Sequence, residues 1–311
     1  MSPEFDVVFR TNSQGLRDDE IGPKRGYRIL LLGDSYTCGY GVERPRLFAD
    51  LLEKELHAEV VNAGVGGFEI IHQLHYFRTR AREFHPDLVI YALYLNNDLT
   101  GNRSWESSTD GSLRRRDGKP ILKTKGTAKL ICLVKSFVPA RKAAHALRRR
   151  IGRQPPALPG ERYLALCTSP LGKEAREDYR TSLELLRQLR DEVQSSGAEF
   201  LVVSFPLRAV VEDRRPECYR PPDSPADACY DLLRPVARFS EMIESAGIAH
   251  IGLTESLRAA RQRLAAPLYF LADGHLNAAG HRCLADALAS ELASRQAPNG
   301  FRHLARTTES H

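Results

Sequence analysis

Apolar and polar positions alternate along the chain with two periods, one typical of buried strands and one typical of amphipathic helices. Short, nearly continuous apolar runs occupy residues 28–32, 58–64 and 87–95, and each run ends at or beside a Gly or an Asn. Between them, residues 45–57 and 69–85 carry apolar side chains at helical spacing. Buried parallel strands have continuous apolar runs, whereas surface helices have a 3.6-residue period. The pattern predicts strand, helix, strand, helix and strand in that order.

The same alternation returns after an interruption. It predicts helices at 174–196 and 231–246, strands at 199–205 and 248–253, and a last helix at about 277–294. Strands that alternate with helices favour a parallel sheet with helices on both faces. We therefore predict an α/β protein, a three-layer α/β/α sandwich around a parallel sheet of about five strands.

The remaining segments divide the chain into a leader, one domain with an insertion, and a tail. We expect residues 1–27 to be irregular and residues 28–294 to form a single domain. Residues 101–165 interrupt the alternation, are basic and are punctuated by Pro and Gly, which is typical of a cap-like insertion. This insertion contains a predicted helical stretch at 127–151 with a break near Pro139. Residues 295–311 are polar, and we expect a flexible tail.

Composition places the chain among ordinary globular proteins. Of its 311 residues, 42% are hydrophobic and 27% are charged, and no run approaches the roughly 20 apolar residues that span a membrane. The formal net charge is +6, but Arg103 to Tyr163 alone hold 16 Lys or Arg against 4 Asp or Glu. The rest of the chain is therefore mildly acidic. Because the excess of basic over acidic residues lies in one segment, nucleic acid is not an expected partner.

The amino terminus and the cysteines bear on the compartment. As written, the sequence begins without the basic region and apolar stretch of a signal peptide, which predicts a cytoplasmic protein. If a leader has been removed, a periplasmic or membrane-anchored protein is expected instead. Six cysteines are too few for a disulfide scaffold. Cys218 and Cys229 flank a Pro-rich loop, and they either form a bridge in an oxidising compartment or remain free thiols.

Polar clusters follow the predicted strands at the edge where ligands bind in sheets of this kind. The clusters are Gly33 to Ser35, Asn62 to Phe68, Leu95 to Asp98, and Asp273 to His281 before the last helix. Turns use Gly, Asn and Asp for conformational reasons. Four such clusters at one edge are nevertheless more than turns require, and they predict an active site.

The chemistry of these clusters is complementary. A serine hydroxyl such as that of Ser35 needs a base to take its proton. His275 can be that base, and Asp273 can orient the imidazole and stabilise its charged form. The Ser35 N–H, the Gly67 N–H and the Asn97 amide are suitable donors for an oxyanion, and loss of one such donor typically costs about 10²–10³ in rate. The residues predict a serine hydrolase.

Other polar residues near these clusters have simpler explanations. We expect Asp34 to hold the turn beside Ser35 and Asp98 to brace its loop, and we interpret His281 as a histidine on a helix face. His72 and His75 are three residues apart on a predicted helix, a spacing that can chelate a metal ion. No third ligand is evident, so we predict no metal site.

In order and combination, the four clusters resemble the SGNH, or GDSL-type, hydrolase family. The blocks are "LLGDSYTCGYGV", "VVNAGVGGF", "LNND" and "LADGHLNAAGH". The residues that match the family's motifs are Ser35, Gly67, Asn97, Asp273 and His275. The resemblance covers roughly residues 28–100 and 174–294. It implies a flavodoxin-like sandwich and a hydrolase of acyl esters that uses neither a metal nor an organic cofactor.

The sequence departs from the family's pattern at two places. Only Gly274 separates Asp273 from His275, where two intervening residues are more usual. Asn96 stands where the third block usually has glycine. The first departure leaves a backbone carbonyl as an alternative partner for the histidine.

We therefore expect a serine esterase or deacylase that hydrolyses a short acyl ester, such as acetyl, of a small molecule or carbohydrate through an acyl-enzyme. One alternative is an O-acyltransferase with the same residues. Another is a catalytically inactive module that binds an anion or lipid through the basic insertion, which could also contact an anionic membrane surface. A dinucleotide-binding enzyme is disfavoured because the first turn lacks G-x-G-x-x-G.

Overall fold

A five-stranded parallel sheet forms the centre of the protein, as a computed structural model shows for residues 4–107, 113–116, 159–213, 216–222, 224 and 227–294. The strands are β1 Arg28–Gly33, β2 Glu59–Asn62, β3 Leu88–Tyr94, β4 Trp105–Ser107, β5 Leu113–Arg115, β6 Glu199–Phe205 and β7 His250–Gly252. The central sheet has the order β2-β1-β3-β6-β7, and each neighbouring pair is parallel. This is the flavodoxin-like order, and it confirms the predicted fold class.

Helices cover both faces of this sheet. They are α1 Phe48–Leu56, α2 Ile70–Thr79, α3 Asn97–Thr100, α4 Glu161–Leu166, α5 Lys173–Ser195, α6 Arg208–Glu212, α7 Arg234–Ser245, α8 Thr254–Leu264 and α9 Ala278–Ser294. Buried residues of α2, α5 and α7 pack on one face, and those of α1, α8 and α9 pack on the other. None of the described helices is long and apolar enough to cross a membrane.

The central strand β3 contributes to both cores, which explains its apolar sequence. Val89, Tyr91 and Leu93 point into the core with α2 and α5. Ile90 and Ala92 point into the core with α1 and α9. A strand buried on both faces cannot alternate apolar and polar side chains, because neither face meets water.

The helix assignment from sequence needs correction at two places. The helix predicted at 69–85 ends at Thr79, and a 3₁₀ turn, Ala81–Phe84, follows it. Arg80 between them has φ −144° and ψ −56°, outside the helical region, so the apolar period continues without a continuous helix. The sequence pattern also did not predict α8, whose buried side chains are few.

Three segments of the described chain lie outside the central sheet and its helices, and each has its own stabilising contacts. Residues 4–27 contain no helix or strand, yet Leu16 and Arg17 are buried. β4 and β5 pair as an antiparallel hairpin within the range predicted as an insertion. Cys218 and Cys229 form a disulfide. The helix predicted at 127–151 and the tail predicted at 295–311 lie outside the described residues.

Candidate active site

The turn after β1 carries Ser35, and the neighbouring Asp34 holds this turn. Asp34 is buried, and its carboxylate accepts hydrogen bonds from the Tyr36 N–H at 2.9 Å and the Asn97 side-chain amide at 3.0 Å. The Tyr40 N–H donates to the Ser35 carbonyl at 3.0 Å and closes the turn. These bonds fix the backbone while the Ser35 side chain stays at the edge of an open cleft.

Gly41 shows why this turn is rich in glycine. Its φ is +86°, a conformation that residues with a Cβ rarely adopt. A Cβ there would also lie 2.8 Å from the Phe270 ring and 2.9 Å from the Phe5 ring. Both the backbone conformation and the close approach of two aromatic rings therefore require glycine.

A second turn, before α9, carries Asp273 and His275. The Phe270 N–H donates to the His275 carbonyl at 2.8 Å, and the Gly274 N–H donates to the Phe270 carbonyl at 3.0 Å. Gly274 has φ +87°, and its carbonyl accepts a 2.6 Å bond from the Tyr36 hydroxyl. The left-handed glycine turns the chain back so that Asp273 and His275 meet despite a single intervening residue.

A continuous chain of hydrogen bonds joins the two turns. Ser35 Oγ lies 2.7 Å from His275 Nε2, and His275 Nδ1 lies 2.5 Å from Asp273 Oδ1. With its proton on Nδ1 bonded to the carboxylate, the imidazole presents Nε2 as an acceptor for the serine O–H. The His275 ring also packs on Tyr36 and Tyr40, with ring centres 4.6 and 5.0 Å away. This arrangement can remove a proton from Ser35.

The predicted site residues share one cleft at the carboxyl edge of the sheet. Its volume is about 290 Å³. The residues that line it include Ser35, Gly67, Tyr94, Asn97, Arg208 and His275. The structure thus brings together side chains that are up to 240 positions apart in sequence, as the strand-end clusters predicted.

Gly67 and Asn97 differ in how freely they face the cleft. Gly67 has φ +83°, and nothing lies within 4 Å of the position of a Cβ, so its backbone is open to a ligand. Asn97 Nδ2 lies 3.0 Å from Asp34 Oδ2 and 3.4 Å from the Phe68 carbonyl oxygen. Both amide hydrogens of Asn97 therefore have acceptors within the protein, and the bond to Phe68 is the weaker.

Two buried carboxyl groups support the loop that carries Asn97. Asp98 accepts a 2.8 Å bond from the Tyr94 N–H, and its carbonyl accepts a 3.1 Å bond from the Ser182 hydroxyl of α5. Burial raises the pKa of Asp34 and of Asp98, and the charge of Asp34 raises the pKa of Asp98 further. These bonds of Asp98, one from a backbone N–H and one from a side chain of α5, brace the loop.

The other histidines considered in the sequence have local roles. His281 Nδ1 accepts a 3.1 Å bond from the Phe48 N–H, and burial lowers the pKa of His281 to about 3. His72 Nδ1 accepts a 3.2 Å bond from the Glu69 N–H, and burial lowers the pKa of His72 to about 4. Over the described ranges, no group of three or more His, Cys, Asp and Glu is placed to hold a metal ion.

The leader contributes contacts to the site that the sequence analysis missed. The Glu4 carboxylate accepts backbone hydrogen bonds from Leu271 at 2.6 Å and from Ala272 and Asp273 at 2.9 Å each. Glu4 therefore holds the turn that carries Asp273. A single acidic residue in a polar, irregular stretch gives no sequence signal that separates this role from exposure to solvent.

Arg17 plays a similar part at the other turn. It is 2% exposed, and its guanidinium donates to the carbonyls of Cys38 at 3.2 Å, of Gly39, and of Val42 at 2.5 Å. Three carbonyls of the segment after Ser35 thus meet one buried cation. The leader contacts both turns of the candidate site.

A second serine, histidine and acid arrangement lies elsewhere in the sheet. Ser204 Oγ lies 2.8 Å from His250 Nε2, and His250 Nδ1 lies 3.3 Å from Glu244 Oε1. Ser204 is 1% exposed, however, so no substrate can reach its hydroxyl. Hydrogen-bond geometry alone therefore does not mark a nucleophile, and of these two serines only Ser35 also lines the cleft.

The fold is an α/β/α sandwich with a cleft at the carboxyl edge of its parallel sheet. The chain belongs to the GDSL-like lipase/acylhydrolase family, whose sequence model matches residues 31–283. The protein is accordingly an esterase, a hydrolase that acts on ester bonds. No curated protein matches the chain.

Several solved structures resemble the protein at low identity. The acetyl xylan esterase AlAXEase is 14% identical with a TM-score of 0.47, over 85% of this chain and 98% of that one. The lipase/acylhydrolase from Enterococcus faecalis is 17% identical with a TM-score of 0.44, over 86% and 95%. A catalytic mutant of Axe2, an acetylxylan esterase from Geobacillus stearothermophilus, is 13% identical with a TM-score of 0.47, over 86% and 94%. At these identities the likeness carries no information on substrate.

Proposed function

We propose that the protein is a serine esterase in which Ser35 is the nucleophile, His275 the general base and Asp273 the residue that orients the histidine. The observation that carries this proposal is the hydrogen-bond chain from Ser35 Oγ through His275 to Asp273, which opens onto a cleft. Asp273 at 2.5 Å from Nδ1 supports the carboxylate, rather than a backbone carbonyl, as the partner of the imidazole.

The reaction follows from where the protons lie. Ser35 Oγ attacks the ester carbonyl carbon while its proton passes to His275 Nε2, and the imidazolium is stabilised by Asp273. Collapse of the tetrahedral intermediate breaks the bond to the alcohol oxygen, which takes the proton from Nε2. Water then attacks the acyl-enzyme with the same base, and the acid leaves as Ser35 regains its proton.

Three donors surround the position of the oxyanion in this proposal. Ser35 and Gly67 both line the cleft and would donate their backbone N–H groups, and the open space beside Gly67 leaves room for the carbonyl oxygen. The Asn97 amide supplies the third donor by exchanging its weak 3.4 Å contact with the Phe68 carbonyl for the oxyanion. Asp34 holds the other amide hydrogen and so keeps the side chain oriented.

The size of the cleft favours short acyl groups. At about 290 Å³, it lies just below the roughly 300–1,000 Å³ of sites for drug-sized ligands. We propose an acetyl or similarly short acyl ester of a small molecule or carbohydrate as the substrate. The alcohol part would extend from the open side of the cleft.

Labelling with a fluorophosphonate, followed by mass spectrometry and an assay with 4-nitrophenyl acetate, tests the nucleophile. We expect wild type to be labelled at Ser35 and to turn over, and Ser35→Ala to do neither. The chain offers a matched control in Ser204→Ala, which also removes a hydroxyl bonded to a histidine, but a buried one. Ser204→Ala should still be labelled at Ser35. Turnover by folded Ser35→Ala, or failure of wild type to react, would overturn the proposal.

A further inference from the structure

Tyr36 follows the proposed nucleophile directly in sequence, and its side chain reaches the other turn of the candidate site. It is 4% exposed, and its backbone N–H donates to the Asp34 carboxylate at 2.9 Å. Its hydroxyl donates to the Gly274 carbonyl at 2.6 Å, 238 positions away in sequence. One buried residue therefore connects the turn that carries Ser35 to the turn that carries His275.

The bond from Tyr36 holds the peptide unit that joins Gly274 to His275. The Gly274 carbonyl and the His275 N–H belong to one plane, because the peptide bond is planar. Tyr36 donates to the carbonyl of this plane, and the N–H of the same plane donates to Asp273 Oδ1 at 3.4 Å. Of these two bonds, the one from Tyr36 is much the shorter. Together they restrict the rotation of the plane, and hence the direction in which the His275 side chain leaves the backbone.

The backbone bonds of this turn leave that peptide unit to be held by other groups. The turn is closed by the bond from the Phe270 N–H to the His275 carbonyl and by the bond from the Gly274 N–H to the Phe270 carbonyl. Neither bond involves the Gly274 carbonyl or the His275 N–H. Gly274 has φ +87°, and glycine adopts many backbone conformations at little cost. A donor from outside the turn is therefore needed to fix the peptide plane.

Tyr36 is itself held in place by aromatic packing. Its ring stacks on Tyr94 with ring centres 4.0 Å apart, and it packs against Phe205 at 5.4 Å and against the imidazole of His275 at 4.6 Å. Burial raises the pKa of Tyr36 well above its ordinary value, so the hydroxyl stays protonated and remains a donor. The side chain is thus a fixed support for the turn.

We propose that Tyr36 is a positioning residue, whose hydroxyl holds the peptide unit between Gly274 and His275 so that His275 Nε2 stays within hydrogen-bond distance of Ser35 Oγ. This inference rests on the proposed esterase function, because it concerns the base of that reaction. Nε2 lies 2.7 Å from Ser35 Oγ, and a displacement of about 1 Å can lower a rate about 10²-fold. The hydroxyl acts through His275 and not on the substrate.

The variant Tyr36→Phe removes the hydroxyl and keeps the ring that packs on His275. We expect kcat for 4-nitrophenyl acetate to fall about tenfold with KM within twofold of wild type, because the base is displaced while the cleft keeps its shape. Tyr163→Phe is the matched control, because Tyr163 is also buried and its hydroxyl donates to the Leu232 carbonyl at 3.0 Å. Neither Tyr163 nor Leu232 lines the cleft. Tyr163→Phe should lose a similar amount of stability to urea and keep kcat within twofold of wild type.

Two unnatural side chains in place of Tyr36 make the result specific to the donor. 4-Aminophenylalanine carries a donor at the same position of the ring and should recover part of the lost kcat. 4-Methylphenylalanine fills the space of the hydroxyl without donating, and it takes the place of Tyr36→Phe if that variant does not fold. A kcat within twofold of wild type for the folded variant without a donor would overturn the proposal. A rise in KM with kcat unchanged would overturn it too, because Tyr36 would then act by binding the substrate.

NMR of ¹⁵N-labelled histidines separates this proposal from the esterase proposal, because it needs no turnover. The variant His275→Asn identifies the signals of His275 by their loss. The difference between the Nδ1 and Nε2 shifts is large when the proton stays on Nδ1, bonded to Asp273, and it falls when the two tautomers average. We expect Tyr36→Phe to reduce this difference, because the turn that aligns His275 with Asp273 is loosened. Tyr163→Phe should leave it at the wild-type value.

The two measurements together show which proposal fails. If wild type cleaves no ester but Tyr36→Phe reduces the shift difference, the esterase proposal fails and the positioning role of Tyr36 stands. If wild type cleaves 4-nitrophenyl acetate and the shift difference is the same in wild type and Tyr36→Phe, the positioning role fails alone.

Discussion

Asn97 is held in its resting position by two hydrogen bonds, one of which the proposed mechanism exchanges for the oxyanion. Its amide nitrogen contacts Asp34 at 3.0 Å and the Phe68 carbonyl at 3.4 Å. If the second hydrogen stabilises the oxyanion, Asn97→Ala removes a donor that matters in the transition state only. We expect kcat to fall by about 10²–10³ with little change in KM. Steady-state kinetics with 4-nitrophenyl acetate measures both.

Asn97→Ala also leaves a buried carboxylate of Asp34 short of one donor. The loss of such a partner typically costs about 1–3 kcal/mol of stability, so urea unfolding must accompany the kinetics. A variant that is folded under assay conditions and retains more than a third of the wild-type kcat would contradict the assigned role. A rise in KM with kcat unchanged would contradict it as well, because it would mean that Asn97 binds the substrate and the transition state equally strongly.

His281 makes the stability of the protein depend on pH. Its pKa is lowered from 6.5 to about 3 by burial, to which the charge of Arg17 adds. Protonation therefore favours the unfolded state, in which the ring is solvated. The contribution of neutral His281 is complete above pH 6.5 and is lost as the pH falls from 6.5 towards 3. We expect the free energy of unfolding to fall in this window by at most about 1.4 kcal/mol per pH unit from this residue.

The variant His281→Asn isolates that contribution. An asparagine oxygen can accept the bond that His281 Nδ1 accepts from the Phe48 N–H, but it does not titrate in this range. Urea unfolding of both proteins between pH 4 and pH 7.5 should show a shallower loss of stability for His281→Asn towards low pH. Parallel curves for the two proteins would contradict the assignment to this histidine.

The N-terminal segment before β1 holds one of the two turns of the candidate site in place. Glu4 binds three successive N–H groups of the turn that carries Asp273. Without that carboxylate, the turn loses a constraint on the position of Asp273 and hence of His275. Small displacements of catalytic groups lower the rate strongly, so we expect Glu4→Ala to lower kcat about tenfold and to change KM little. The split between kcat and KM is the measurement.

A second acid of the same segment gives the matched control. The Glu20 carboxylate binds the N–H and hydroxyl of Ser13, and these contacts stay within the segment. Glu20→Ala should therefore keep kcat within twofold of wild type. Glu4→Gln should recover part of the loss, because an amide oxygen still accepts a hydrogen bond from the turn. Equal loss in Glu4→Ala and Glu20→Ala would point to general destabilisation of the segment instead.

Sequence periodicity predicted the helices and strands that have strong apolar patterns. It did not predict elements that bury few side chains. β3 and β6 match the predicted strands closely because both of their faces are buried. In α8, only Thr254, Leu257 and Ala260 are buried, which leaves one large apolar residue to mark the helix. A helix that buries so little has no clear hydrophobic period, although tertiary contacts still stabilise it.

At the scale of the whole molecule, the sequence predicted which residues meet but not what surrounds them. Ser35, Asn97 and His275 could be grouped because parallel strands end at one edge. Glu4 could not, because an irregular segment has no period that fixes its position on the sheet. Arg208 could not either, because the five-residue helix α6 is too short to show a period. Residues of a candidate site that follow strand ends can therefore be predicted from sequence, whereas residues that reach the site from loops or short helices are found only in the structure.

The two cores lie on opposite faces of a single sheet, which should make unfolding one cooperative event. Leu93 and Ile90 lie three residues apart on β3, and both are fully buried, in different cores. We expect Leu93→Ala and Ile90→Ala each to lower the free energy of unfolding by about 2–5 kcal/mol. Leu264→Ala, at a residue that is 46% exposed, should change it by less than about 0.5 kcal/mol.

The shape of the urea transition decides whether the faces are coupled. Because β3 belongs to both cores, loss of packing on one face disturbs the strand that the other face needs. Tryptophan fluorescence and far-ultraviolet circular dichroism should then give coincident single transitions for wild type and for both core variants. Two separated transitions in Leu93→Ala, with only the first displaced, would show that the faces unfold independently. In that case the second transition of Ile90→Ala should be the displaced one, so the pair of variants tests the coupling from both sides.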